Sequence, residues 1–570
     1  MPDEIDAVDL PVEGTLPPEL DGRYVRNGPN PLPGADPGHW FRGHGMLHGV
    51  RLARGRALWY RNRWVRTGAL AGRRYLTWRG VDLSAVPANT HVIEHGGKLL
   101  ALVEQGLPHE VDRDLGTVGP CDFGGRLRTA MTAHPKADPV TGELHFYGYS
   151  PVPPFLTYHR LSAAGELVVS RRVSVRRPTL MHDAAVTARH TVWLDLPLRF
   201  SLRHIRAGFP FVWDESYGAR LGVMRHDDPA ARVRWFEIEP GYVFHVGNAH
   251  EDADGRIVVD GSRYDAADMA AQWAPPRRRR RGRPGAPEAA RAAAGAAGAD
   301  PAGRAAGTGA ARMHRWVLDP ATGRVSEGPL DDRPVEFPTL DPERVGRAAR
   351  HRYGVTSSPA ANAIVKMDLA TGTTVAHELG PDVKAGEAVF VPAGRADRSE
   401  DDGWLLTITT RADGSASRLL VLDATDVTRT VAAVTLPRGV PSGFHGSWIP
   451  EPREAEAQQR GAGARVVEEP GRDPGRGPRP RQQPEDQPAE GEQLDQRALP
   501  PAPEQREQGD DDEDAVQDVR GEPLPGHVPH LRVADGRPPL SAPGHGGGVC
   551  CAPRRRRRPG DLDEGVDPCP

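Results

Sequence analysis

Four of the chain's 22 histidines are set apart by their surroundings. His134 lies in Thr132-Ala133-His134-Pro135-Lys136 and His182 in Leu180-Met181-His182-Asp183-Ala184. His245 lies in Tyr242-Val243-Phe244-His245-Val246-Gly247-Asn248-Ala249, and His445 in Ser442-Gly443-Phe444-His445-Gly446-Ser447-Trp448. Their neighbours are largely apolar, small or glycine. Such settings suit the dry inner end of a strand, where a neutral imidazole binds a metal through one ring nitrogen. The wide spacing excludes a local zinc finger and a helix-borne pair one turn apart. Only a fold that converges on a central axis brings all four together.

The intervening sequence has that character. Short apolar or alternating runs, such as Lys98-Leu99-Leu100-Ala101-Leu102-Val103, Thr191-Val192-Trp193-Leu194 and Arg256-Ile257-Val258-Val259, are broken by Gly, Asp, Asn and Pro. Helical periodicity is scarce. Many short strands at even spacing predict an all-β barrel, sandwich or propeller. A turn motif, Asp-x-x-Thr-Gly, recurs at 138–142, 319–323 and 368–372, with Asp to bond its own backbone and Gly for positive φ. Recurrence over that length fits blades around an axis, and a propeller can lengthen without enlarging any one core.

The chain divides by composition. Residues 1–20 read as an extended lead-in, with Pro11, Pro17 and Pro18 opposed to helix. Residues 21–450 carry the strand pattern. Within them, 274–312 are Arg, Ala, Gly and Pro and read as a disordered insertion. Residues 451–570 lose all periodicity and read as a disordered low-complexity tail, or as out-of-frame translation of a GC-rich gene.

A net charge of -4 over 570 residues gives no global argument for nucleic acid or an anionic membrane. Of four cysteines, only Cys121 falls in the patterned part, which excludes a disulfide framework or thiolate zinc site there and suits a reducing cytoplasm. No apolar leader opens the sequence and no run of 18 apolar residues occurs, so neither a signal peptide nor a membrane span is expected. No Ser-His-Asp order, phosphate-binding glycine loop or paired-carboxylate motif competes with the histidines. A four-histidine zinc hydrolase is disfavoured, since zinc sites seldom combine four histidines with open positions.

Eight stretches stand out in order along the chain: Arg26-Asn27-Gly28-Pro29-Asn30-Pro31; His39-Trp40-Phe41 with Gly45-Met46-Leu47-His48-Gly49-Val50; Ala88-Asn89-Thr90-His91-Val92; Thr132 to Lys136; Met181-His182-Asp183; Phe244-His245 with Asn248-Ala249; Glu336-Phe337-Pro338; and Gly443-Phe444-His445-Gly446. In this order they resemble the carotenoid cleavage oxygenases. The resemblance implies a seven-bladed β-propeller with one iron(II) per subunit on its axis, held by His134, His182, His245 and His445. Imidazole suits iron(II), and four in an octahedral shell leave two positions open. By motif, Glu104, Glu336 and Glu387 would accept hydrogen bonds from ligand histidines, fixing tautomer and ring orientation.

The implied reaction is oxidative cleavage of a conjugated carbon–carbon double bond by dioxygen, giving two carbonyl products. The implied substrate is an apolar polyene, a carotenoid or apocarotenoid. Stilbene-cleaving relatives tend to place a lysine beside the first glutamate, and here that neighbour is Val103. A phenolic stilbene substrate, and an inactive propeller that binds lipids or proteins, are the alternatives. The sequence departs from the family pattern at Arg42 and His44, where acidic residues are usual. Leu196 to Trp213, rich in Phe, Leu and Arg, is expected either to touch a membrane surface beside the tunnel mouth or to pack between blades.

Overall fold

The computed structural model describes residues 1–35, 41–78, 80–207, 210–228, 230–273, 311–357 and 362–452. Most of the 274–312 insertion, nearly all of the 451–570 tail, and His39 and Trp40 of the second stretch lie outside the described residues.

The fold is a seven-bladed β-propeller, with almost no helix among the described residues. In blades 2 to 6 the chain starts on the innermost strand and works outward by antiparallel pairing. Those innermost strands are His91–His95, Lys136–Ala137, Ala184–Val186, Tyr242–Glu251 and Glu336–Thr339. Blade 7 has a broken one, with Val383–Ala385 and Val389–Pro392 both pairing with Gly403–Arg411. In blade 1 the innermost strand is Gly446–Pro450, which pairs with Gly22–Asn30. The ring is closed a second time by the lead-in. Asp6–Val8 adds to the outer edge of blade 1, and Val12–Gly14 to that of blade 7.

Burial follows the blades. Among the described residues there are seven apolar clusters, and each lies between two successive blades. Trp316 and Phe236 pack between blades 4 and 5, while Tyr24 and Leu406 pack between blades 1 and 7. A sheet hides both faces only against its neighbours, so the last interface must form for the first blade to be covered. That is why strands more than 400 residues apart in sequence pair at the seam.

The Asp-x-x-Thr-Gly echo is one turn used three times. In each, the Gly N–H donates to the Asp carbonyl at 2.8–2.9 Å, Asp Oδ1 accepts from the residue two further on, and Gly has φ of 67 to 78°. Its place in the blade differs. Asp138 joins the first and second strands of blade 3, whereas Asp319 and Asp368 join the third and fourth strands of blades 5 and 6. The motif therefore reports a good β-turn, and the blade period is carried by the apolar clusters instead.

Candidate metal centre

Every blade delivers to the hub one of the seven residues expected from the sequence. His134, His182 and His445 stand one or two residues before the innermost strands of blades 3, 4 and 1. His245 lies inside that of blade 5, between Val243 and Val246, where the pairing register shifts and the strand is re-aimed. Glu104 follows the second strand of blade 2, Lys98–Leu102, which runs back towards the end where His91 begins the blade. Glu336 opens blade 6, and Glu387 sits in the break between the two inner strands of blade 7. Strand starts and strand returns thus meet at one end of the axis.

His134, His182 and His245 form a set whose donor atoms all lie within 4.8 Å of one another. The Nε2 atoms of His134 and His182 are 3.0 Å apart. His445 adjoins the set, with its ring centroid 4.6 Å from that of His134 and 4.9 Å from that of His245.

Three of the four rings are held from behind by the three glutamates. His182 Nδ1 meets Glu104, His245 Nδ1 meets Glu336 at 2.6 Å, and His445 Nδ1 meets Glu387 at 3.1 Å. The carboxylates have further donors. Tyr149 and Tyr264 donate to Glu104 and Glu336, each at 2.6 Å, and the Gly446 N–H donates to Glu387 at 2.9 Å. A carboxylate behind Nδ1 keeps the proton there and leaves the Nε2 lone pair for a cation. Burial alone would raise these carboxyls. The imidazole, hydroxyl and N–H groups around them together outweigh it, so Glu104 and Glu336 are lowered and Glu387 is held at about 2.

His134 has no carboxylate partner among the described residues. Burial, and then the neighbouring histidines, push its pKa well below the usual imidazole value, which keeps the ring neutral. Imidazoles with anionic support suit a first-row divalent cation.

Backbone bonds from blade 1 fix the His445 loop. The Asn27 N–H donates to the His445 carbonyl and the Phe444 N–H to that of Asn27, each at 3.0 Å. A Cβ on Gly28 would stand 2.6 Å from the Gly443 Cα, so the Asn-Gly-Pro and Gly-Phe-His-Gly stretches meet at a contact only glycine permits. Phe337 has φ 52°, a left-handed conformation that is strained for a bulky residue. That conformation accompanies its N–H donating to Glu336 at 2.7 Å while its ring stacks on His245, 5.0 Å between centroids. Arg42 is exposed and His44 half-buried, and neither belongs to the hub.

Several hub residues carried no role in the sequence reading. Tyr149 and Tyr264 end ordinary second strands and gave no local signal. His91 lay within a quoted stretch. Its Nδ1 meets the Ala133 carbonyl at 3.0 Å, its Nε2 meets Ser447 Oγ at 3.2 Å, and burial, then His445, lowers it to about 4.

Comparison with known proteins agrees with this architecture. Residues 1–450 match the family described as retinal pigment epithelial membrane protein. A carotenoid cleavage oxygenase of Mycobacterium tuberculosis is 36% identical, over 78% of this chain and 95% of that one. A carotenoid 9,10(9',10')-cleavage dioxygenase of Arabidopsis thaliana is 30% identical, over 78% and 87%. Cobalt-substituted apocarotenoid oxygenase from Synechocystis is structurally similar at 26% identity and TM-score 0.66, covering 79% of this chain and 97% of that one. Lignostilbene dioxygenase of Pseudomonas brassicacearum, at 28% identity, gives the same TM-score and the same coverage. From its blades to its converging histidines, the chain belongs to the family of the retinal pigment epithelial membrane protein and the carotenoid cleavage oxygenases.

Proposed function

We propose that the chain is a non-haem iron(II) dioxygenase that cleaves a conjugated double bond of a carotenoid or apocarotenoid into two carbonyl products. The observation that carries this is the convergence of His134, His182 and His245 within 4.8 Å, beside His445, in a chain of this family. Residues 21–450 are the catalytic unit, with the lead-in closing its ring. His134, His182, His245 and His445 would hold the metal, and Glu104, Glu336 and Glu387 would hold three of the rings. Bound there, iron(II) supplies a redox-active centre at which dioxygen is brought to the alkene.

The chain itself supplies shape and apolar walls. Phe244 lies edge-on to His182 at 5.0 Å, Phe337 stacks on His245, and Phe41 meets Phe444 at 5.4 Å. Aromatic rings round the histidines favour a polyene over a polar substrate and keep water from the reacting carbons. Val103, before Glu104, is buried and offers no cation to ionise a phenol, which favours a carotenoid over a stilbene. Loading with iron(II) without air, then adding air and a panel of polyenes and stilbenes, with products read by mass, tests the reading. Apocarotenal-type aldehydes are expected; vanillin-type aldehydes alone would reassign the substrate, and no product from any alkene would overturn it.

The reading includes peripheral membrane contact by an otherwise cytoplasmic protein. No helix among the described residues is long and apolar enough to cross a bilayer. The segment Leu196 to Trp213 divides into two parts. Leu196 and Leu198 are buried in the core between blades 4 and 5, and Leu198–Phe200 pairs with Phe211–Trp213. The 3-10 turn Leu202–Ala207 between them exposes Leu202 by 75% and Ile205 by 48%. Phe209 lies outside the described residues.

Innermost Ala184–Val186 runs away from His182 and His190–Asp195 returns, so this tip is at the ligand end of the propeller. By the same count, from Gly446 through Asn30, His44 and Trp64, so is the hairpin with Trp78, 88% exposed. Two apolar tips at the ligand end suit uptake of a lipid-soluble substrate. In liposome flotation, Leu202→Ser with Ile205→Ser is expected to reduce the bound fraction at least about fivefold. Failure of the parent to float, or equal flotation of both, refutes the contact.

A further inference from the structure

Asp183 directly follows His182 and is only 2% exposed, yet no part in the chemistry has been given to it. Its Oδ1 accepts the Ala184 N–H at 2.7 Å and faces Lys136 Nζ at 2.8 Å. Its Oδ2 accepts the Val246 N–H at 2.9 Å. Lys136 is two residues after His134, Ala184 two after His182, and Val246 one after His245. One carboxylate is thus bonded to the three innermost strands, in blades 3, 4 and 5, that carry the three convergent histidines. Among the described residues no other side chain bonds all three.

On the axial side the innermost strands have no further strand to pair with. Their spacing at the hub must be set by something other than the ladder. A buried carboxylate is suited to this. It is rigid, accepts several hydrogen bonds at once, and when buried must keep its partners. The charge arithmetic also fits. Lys136 cancels Asp183, so the pair contributes position without adding to the negative charge of Glu104, Glu336 and Glu387.

We propose that Asp183, held by Lys136, is the positioning group that sets the separation of His134, His182 and His245. The proposal rests on reading those histidines as metal ligands. It does not make Asp183 a catalytic residue, because the carboxylate reaches the ligands only through their strands.

Cobalt(II) is the probe, because its visible bands respond to ligand geometry, and the full chain is used. Asp183→Asn keeps the size of the side chain but loses one acceptor and the charge. Lys136→Met keeps both backbone bonds and, with the lysine partly at the surface, leaves the fold intact should the first variant not fold. Each is expected to weaken cobalt binding about tenfold and to shift the cobalt bands, with Lys136→Arg restoring both. The melting temperature of the metal-free protein is the control, since a purely structural role would lower it and leave the spectrum of the bound fraction unchanged. An unchanged spectrum and affinity in the variants that fold overturns the proposal while leaving the metal site standing. A parent chain that takes up no cobalt overturns both.

Discussion

His245→Ala is expected to take metal and activity away together, from about one equivalent per chain to less than about a tenth, with turnover down at least about a thousandfold. The ring at this position has three attachments. Its Nδ1 is held by Glu336, one face stacks on Phe337, and its centroid lies 5.2–5.3 Å from those of His134 and His182. Alanine leaves a cavity where a donor atom stood, and the remaining rings cannot cover it without moving strands in other blades. It also leaves the Glu336 carboxylate facing an apolar gap. His377→Ala is the matched control. That histidine is on Thr373–Glu378, the outermost strand of blade 6, and its loss is expected to leave metal content within about 20% of the parent. Elemental analysis of both variants, purified side by side, decides the matter. Full metal in the His245 variant would remove it from the ligand set.

How much of this centre was legible beforehand depended on the range of the contact. The histidines could be picked out because each stands at or near the start of a strand, so its small or apolar neighbours are local and visible in the sequence. The division of labour among the blades was not visible. Tyr149 reaches Glu104 across 45 residues and Tyr264 reaches Glu336 across 72, and both tyrosines sit in strands of ordinary alternation. The two-fold closure of the ring was hidden for the same reason. Nothing local in Val12-Glu13-Gly14 says that its partner is Ala432 to Val434. The turn echo misled in a smaller way, since the physics of Asp and Gly fixes the turn and is indifferent to which strands it joins. In Leu196 to Trp213 composition revealed apolar content but could not separate the buried base from the exposed tip. Leu198 and Leu202 are alike as residues and opposite in burial.

Glu336 gives the second large effect, and a graded one. Its Oε2 accepts both the His245 Nδ1–H and the Phe337 N–H, and its Oε1 accepts the Tyr264 hydroxyl. Glutamine can keep all three contacts. With its oxygen in place of Oε2, its amide faces Tyr264, whose hydroxyl can turn to accept. Glu336→Gln therefore removes charge and keeps geometry, and is expected to weaken metal binding about tenfold. Glu336→Ala removes both. It takes the acceptor away from all three donors, at about 1–3 kcal/mol for each left unpaired, and releases the His245 ring to turn, so a loss of about a hundredfold is expected. Tyr264→Phe, which deletes one donor to a carboxylate that keeps two others, is expected to cost about threefold. The order alanine, glutamine, phenylalanine is what the geometry demands, and competition with a chelator of known affinity measures it. If the glutamine variant bound metal no better than the alanine one, charge alone would be what Glu336 supplies. If the alanine variant matched the parent, His245 would be held by its stack on Phe337, and the carboxylate behind it would be no part of the centre.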